Sequence, residues 1–156
     1  MKLPNVGAVE HLLVDLLARP VRCSSVARPG PFPPGLYSTF VDDKRRVRAI
    51  AFSDRTFAAM TGAALALIPR GAAEDAIRKG QIPANLLENH AEIVNVATAL
   101  VNQLNPHADH VRLGAIHDAP AALAPELRSV LTKPSARLDV EADINGYGCG
   151  RFSILV

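Results

Sequence analysis

The chain has 156 residues, 49% of them hydrophobic and 21% charged, with a formal net charge of +2. That length buries one substantial core and the composition is that of an ordinary globular domain. So small and scattered a charge excess requires neither nucleic acid nor an anionic membrane as a partner.

No apolar run is long enough to cross a bilayer. The opening MKLPNVGAVEHLL holds a proline, an acid and a histidine where a signal peptide needs an apolar stretch, so a cytoplasmic protein is expected. Cys23 and Cys149 are far apart, lack metal-ligand spacing and fall in strand-like stretches, which predicts two buried thiols.

Asn5 can cap a first helix whose apolar residues are Val6, Val9, Leu12, Leu13, Leu16 and Leu17, stopped by Pro20. Residues 21–26 read as a strand. The proline-rich stretch RPGPFPPG at 28–35 is expected to be a long hairpin loop, since strands flank it. Residues 36–41 and 47–52 form the next two strands, joined by the polar turn DDKRR, whose Lys44, Arg45 and Arg46 read as solvated tip charges. Ser53 or Asp54 caps a second helix from 55 to about 67, and a short helix over 72–79 ends at Gly80. A long helix spans 84–103. Strands follow at 110–116, 135–144 and 151–156. In 135–144, Ala136, Leu138, Val140, Ala142 and Ile144 alternate with Arg137, Asp139, Glu141 and Asp143, which predicts one buried and one wet face. Asn145-Gly146 then suggests a type I′ turn.

The order is helix, three strands, two connecting helices, helix, three strands. This is an α+β pattern of two similar halves, predicting an antiparallel sheet of about six strands flanked by helices. The chain reads as a single domain over 1–156, with half one at about 1–53, connecting helices at about 54–82 and half two at about 83–156.

The long helix is the most distinctive element. Glu88, Glu92, Asn95, Ala99 and Asn102 follow i, i+4, i+7, i+11, i+14 spacing on one face, opposite Leu86, Ile93, Val94, Ala97, Leu100, Val101 and Leu104. An outer helix face ordinarily mixes lysine, glutamate and arginine. This one carries carboxylates and carboxamides with no basic residue among them. Plain solvation of an outer face is one reading, and a reactive surface is the other.

The stretch MTGAALALIPRGAAEDAIRKGQIPANLLENHAEIVNVATALVN resembles the CheC/CheX superfamily of bacterial chemotaxis phosphatases, whose helix carries Glu-x-x-Asn, here Glu92 and Asn95. The detailed likeness covers about 60–105, and the helix–strand order extends it over most of the chain. Glu88 stands where the family usually has Asp or Ser. In the first helix Glu10 is followed by Leu13 where Asn would be needed, so the likeness is to CheX, with one site, more than to two-site CheC.

The resemblance implies an enzyme that speeds hydrolysis of the phosphoaspartate of a CheY-like response-regulator receiver domain. Asn95 would orient the attacking water, because a carboxamide both donates to phosphoryl oxygen and accepts from water. Glu92 would pair with the receiver's active-site lysine, and Glu88, Ala99 and Asn102 would widen the contact. The chain itself would bind no cofactor or metal; Mg²⁺ would sit in the partner receiver. The alternative is a non-catalytic interaction module that binds a receiver or another signalling protein through the same face. Superposing the halves puts Val6, Leu13 and Leu17 where Glu88, Asn95 and Ala99 lie. That apolar stripe must be covered by the connecting helices or by a second copy, so a homodimer is a further expectation.

Other constellations carry less. His107, His110 and His117, with Asp109 and Asp118, have loose spacing for a metal site. His90 falls on the apolar side of the long helix and reads as a hydrogen-bonded core histidine. The glycine-rich NGYGCG at 145–150 lies between strands, with no helix start behind it to cradle phosphate.

Overall fold

A computed structural model describes residues 1–156. Its elements are α1 (Val6–Leu17), β1 (Val21–Ser25), β2 (Gly35–Val41), β3 (Val47–Asp54), α2 (Arg55–Leu65), α3 (Arg70–Lys79), α4 (Ala84–Leu104), β4 (Arg112–His117), α5 (Pro125–Thr132), β5 (Arg137–Ile144) and β6 (Gly148–Leu155), with a single 3₁₀ turn at Pro120–Ala122. The six strands form one antiparallel sheet in the order β1-β5-β6-β3-β2-β4. The order is palindromic: the first strand of each half lies at an edge beside the second strand of the other half, and the third strands meet in the middle. That is the α+β, two-half architecture the element order predicts.

This order corrects the expectation for residues 28–35. β1 pairs with β5 and β2 with β3 and β4, so β1 and β2 are not a hairpin and the proline-rich segment crosses between distant strands. It crosses over the sheet face away from the main helices. There the Phe32 ring lies 4.4 Å from Phe52, under the Arg137 guanidinium at 4.4 Å and that of Arg151 at 5.3 Å.

Alternation along the strands supplies two cores. Phe40, Ala49, Ala51, Val140, Ala142, Phe152 and Ile154 face the helices and join Val9, Leu13, Phe57, Ile93 and Val101. Tyr37, Ile50, Phe52 and Leu155 point the other way, under Leu123, Phe32 and half-buried Leu127, Val130 and Leu131. The latter three belong to α5, an element absent from the sequence reading. Pro125 at its first position, and Leu123, Leu127, Val130 and Leu131 spaced i, i+4, i+7, i+8, are the signals that mark it.

The wet face expected for β5 is therefore partly covered, and Asp139 is buried. Its carboxylate accepts from Arg137 Nε at 2.6 Å, Arg151 Nη2 at 2.7 Å and Ser153 Oγ at 2.7 Å. Burial alone would raise its pKa, but these donors outweigh it and hold the acid below the ordinary carboxylate range.

Three smaller expectations are corrected. Asn145 does not take a left-handed conformation, so the β5–β6 turn is not type I′; Gly146 alone does, at φ +81°. Asn145 N–H is instead held by the Pro20 carbonyl at 3.1 Å. Cys149 is exposed and Cys23 half-buried, and both are free thiols. Arg46 is not simply solvated: it bridges the buried Asp42 and Asp109, at 2.8 Å each.

Candidate functional site

α4 has 21 residues and is uncapped by any side chain at Pro83. Its buried side, Leu86, His90, Ile93, Val94, Ala97, Thr98 and Val101, packs on α2, α1 and β4. Its outer side presents Glu88, Glu92 and Asn95 to solvent, with Ala99 and Asn102 half-buried behind them. Glu92 and Asn95 are three residues apart, so their side chains emerge from neighbouring turns, separated by about 4.5 Å along the axis.

Four contacts fix the helix. A Cβ on Gly62 of α2 would run into the Leu86 carbonyl, so the two backbones meet only because this residue is glycine. Asn89 Nδ2 donates to the Gly62 carbonyl at 2.9 Å. His90 is wholly buried, with Nδ1 3.1 Å from Thr61 Oγ1. The Thr61 hydroxyl donates to the Phe57 carbonyl at 2.7 Å, so the imidazole is the donor in the Thr61 pair and is neutral. Burial lowers its pKa to about 4. At the far end Asn105 Nδ2 donates to the Val101 carbonyl at 2.7 Å and to the Lys2 carbonyl at 2.8 Å. His90 is thus the hydrogen-bonded core histidine that its helical position implies.

Asn102 stands apart from the rest of the stripe. Its amide donates to the Val111 carbonyl and accepts from the Val111 N–H, both at 2.8 Å, tying α4 to the start of β4. Both polar atoms of that side chain already have partners. The other hydrogen-bonding side chains of α4 are Asn89, His90 and Thr98, which leaves Glu88, Glu92 and Asn95 facing water, with Asn85 and Gln103 near the two ends of the helix. With no lysine or arginine anywhere in α4, this face offers carboxylate oxygens and free carboxamides, of which Asn95 is the one beside Glu92 at the middle of the helix.

The corresponding face of α1 is different. Glu10 is half-buried and its Oε2 accepts the Cys23 N–H at 2.7 Å. Leu13 and Leu17 are buried in the chain's own core. The apolar stripe needs no second copy to cover it, so the argument for a homodimer falls away. Nor do His107, His110 and His117 gather with Asp109 and Asp118 into a metal-binding group.

Sequence reasoning missed a cleft of about 260 Å³ at the start of α4, lined by Leu36, Arg55, Ile82, Leu87 and Asp118 among others. These residues come from five separate segments, so no local pattern announces them. Leu87 sits in its wall, directly before Glu88.

No protein-family model and no curated protein matches the sequence. Solved structures do match in shape. The FliM middle domain of H. pylori superposes with a TM-score of 0.62 at 10% identity, over 96% of this chain and 83% of that one. FliY of Thermotoga maritima gives 0.59 at 12%, over 97% and 83%. CheX of Borrelia burgdorferi, in a complex with CheY, BeF3 and Mg²⁺, gives 0.52 at 14%, over 95% and 92%. The chain therefore has the fold shared by CheX, FliY and the FliM middle domain, which is the fold that its resemblance to the CheC/CheX superfamily implies. At these identities the likeness is one of fold and does not separate a CheX type from a CheC type.

Proposed function

We propose that this protein docks the exposed face of α4 on the phosphorylated receiver domain of a response regulator and accelerates hydrolysis of its phosphoaspartate. The observation that carries the reading is the pair Glu92 and Asn95, adjacent on a rigid helix, exposed and without partners in the chain, on the fold of a CheX solved in complex with CheY. Asn95 orients water in line with the phosphorus, donating to a phosphoryl oxygen and accepting from the water. Glu92 meets a cation of the partner, its active-site lysine, and Glu88 and Ala99 extend the contact. Mg²⁺ is the receiver's own, and this chain supplies positioning. The encounter takes place in the cytoplasm, where receivers work.

The second reading is a non-catalytic module using the same face. It is favoured by the FliM middle domain, which superposes with a higher TM-score than CheX, and by Glu88 in the place of the usual Asp or Ser.

The experiment adds the purified chain to phosphorylated receivers with Mg²⁺ and follows loss of the acyl phosphate. The expected result is acceleration that Asn95→Ala reduces about 10²-fold, the scale of one lost transition-state hydrogen-bond donor, while binding persists. Binding without acceleration selects the second reading, and absence of both rejects the receiver as partner.

A further inference from the structure

We propose a second site, remote from α4: the cleft between the start of β1, the β5–β6 turn and the start of α3 binds a small phosphate-bearing molecule. The cleft measures about 380 Å³ and is lined by Pro20, Arg22, Arg70, Asp143 and residues 144–148. That volume lies in the range of small-molecule sites.

Its lining carries two arginines, Arg22 and Arg70, against one carboxylate, Asp143. Arg22 is exposed and has no carboxylate within ion-pair distance, although Asp143 is its cross-strand neighbour. Arg70 engages Glu74 through Nε at 2.6 Å, which leaves its two terminal nitrogens open. Arg19 adjoins the turn: its Nη1 donates to the Asn145 carbonyl at 3.1 Å and its guanidinium lies 4.6 Å from the centre of the Tyr147 ring. Its Nε is buried and has no acceptor in the chain. Planar guanidinium forks match the oxygens of phosphate, which takes two parallel N–H donors.

The walls are tied together before any ligand arrives. The Tyr147 hydroxyl donates to the Ile68 carbonyl at 2.7 Å, fastening the turn to the segment that enters α3. Asn145 N–H donates to the Pro20 carbonyl at 3.1 Å, fastening it to the start of β1. The turn closes with Tyr147 N–H on the Ile144 carbonyl at 2.9 Å, and the Gly146 N–H takes no part in it. Two arginines, Arg22 and Arg70, thus line a preformed cleft with a single carboxylate, Asp143, in its wall, and Arg19 backs the turn that forms one side of it.

None of these residues belongs to α4, so this site stands or falls independently of the receiver reading. The test titrates the ¹⁵N-labelled protein with inorganic pyrophosphate at constant ionic strength. Saturable shifts are expected at the amides of Arg22, Gly146, Gly148 and Gly71. Arg22→Gln and Arg70→Gln, both at exposed positions that leave the core intact, should each weaken binding about tenfold, the scale of one charge-assisted contact. Lys44→Gln combined with Arg45→Gln removes charge from the β2–β3 turn and should leave the affinity unchanged. Absence of saturation, shifts centred elsewhere, or equal weakening by the Lys44 and Arg45 substitutions would overturn the proposal.

Discussion

At the scale of single residues, the same polar residue types do different work along α4. Asn95 and Asn102 share a face and a chemistry, yet Asn102 is held by Val111 on both its polar atoms while Asn95 is open. Asn102→Ala is therefore expected to act on stability, and Asn95→Ala on the proposed reaction. His90 makes a sharper prediction. Buried neutral, with a pKa of about 4 against an ordinary value near 6.5, it contributes stability in full above about pH 6.5 and loses it as the pH falls toward 4. The protein should be about 2 kcal/mol less stable at pH 4.5 than at pH 7 on this account. In urea titrations at both pH values, His90→Asn should remove most of that difference; an unchanged difference would assign the acid lability elsewhere.

Elements are placed by what they pack against, and α2 sets the position of the exposed face of α4. Between Phe57 and Ala64 every residue of α2 is buried, half of them alanine, so neighbouring helices approach closely. Gly62 is the extreme case, since a Cβ there would run into the Leu86 carbonyl. Gly62→Ala should cost about 1–3 kcal/mol, the usual range for overpacking, and shift α4 away from α2. If the proposed reaction depends on that placement, phosphatase acceleration falls in this variant although Glu92 and Asn95 are untouched. Thermal denaturation together with the dephosphorylation assay separates the two effects. The contrast between α1 and α4 belongs to this scale too. Both are amphipathic helices that open their half of the chain, but Leu13 turns into the core where Asn95 faces water.

For the whole molecule, the palindromic sheet is covered unequally. The main helices bury one face deeply; the other is closed by Phe32 of the crossing segment and by α5, none of whose residues is fully buried. Asp139 holds this second face together, since the arginines it orders are the ones that lie over Phe32. Asp139→Ala leaves Arg137 and Arg151 uncompensated and should destabilise the fold by about 3 kcal/mol in chemical denaturation, toward the low end for broken buried pairs because both arginines keep some solvent. Because the folded acid titrates below its ordinary range, this contribution is present above about pH 4 and is lost as the pH falls further. Acid unfolding should therefore proceed in two regions, His90 first and Asp139 below it. A wild-type stability that stays flat between pH 6.5 and 4 would contradict that order.

Local periodicity was enough to read α4, its polar stripe, the alternation of β5 and the succession of helices and strands in two halves. Amphipathic spacing is imposed on each element by its own core contact, so it survives in the linear order of residues. What lay outside the sequence were pairings between distant segments. Whether β1 met β2 or β5 depended on how the halves join at β3 and β6, and with it whether residues 28–35 turned back or crossed the sheet. The burial of Asp139, α5 as a cover, the engagement of Asn102 by Val111 and the arginine cleft at the β5–β6 turn are likewise contacts that no local periodicity encodes. The two-faced character of α4 was thus written in the spacing of Glu88, Glu92 and Asn95, but only tertiary packing decided which of its polar side chains remained free, because a carboxamide's partners are chosen by what the fold brings within about 3 Å of it.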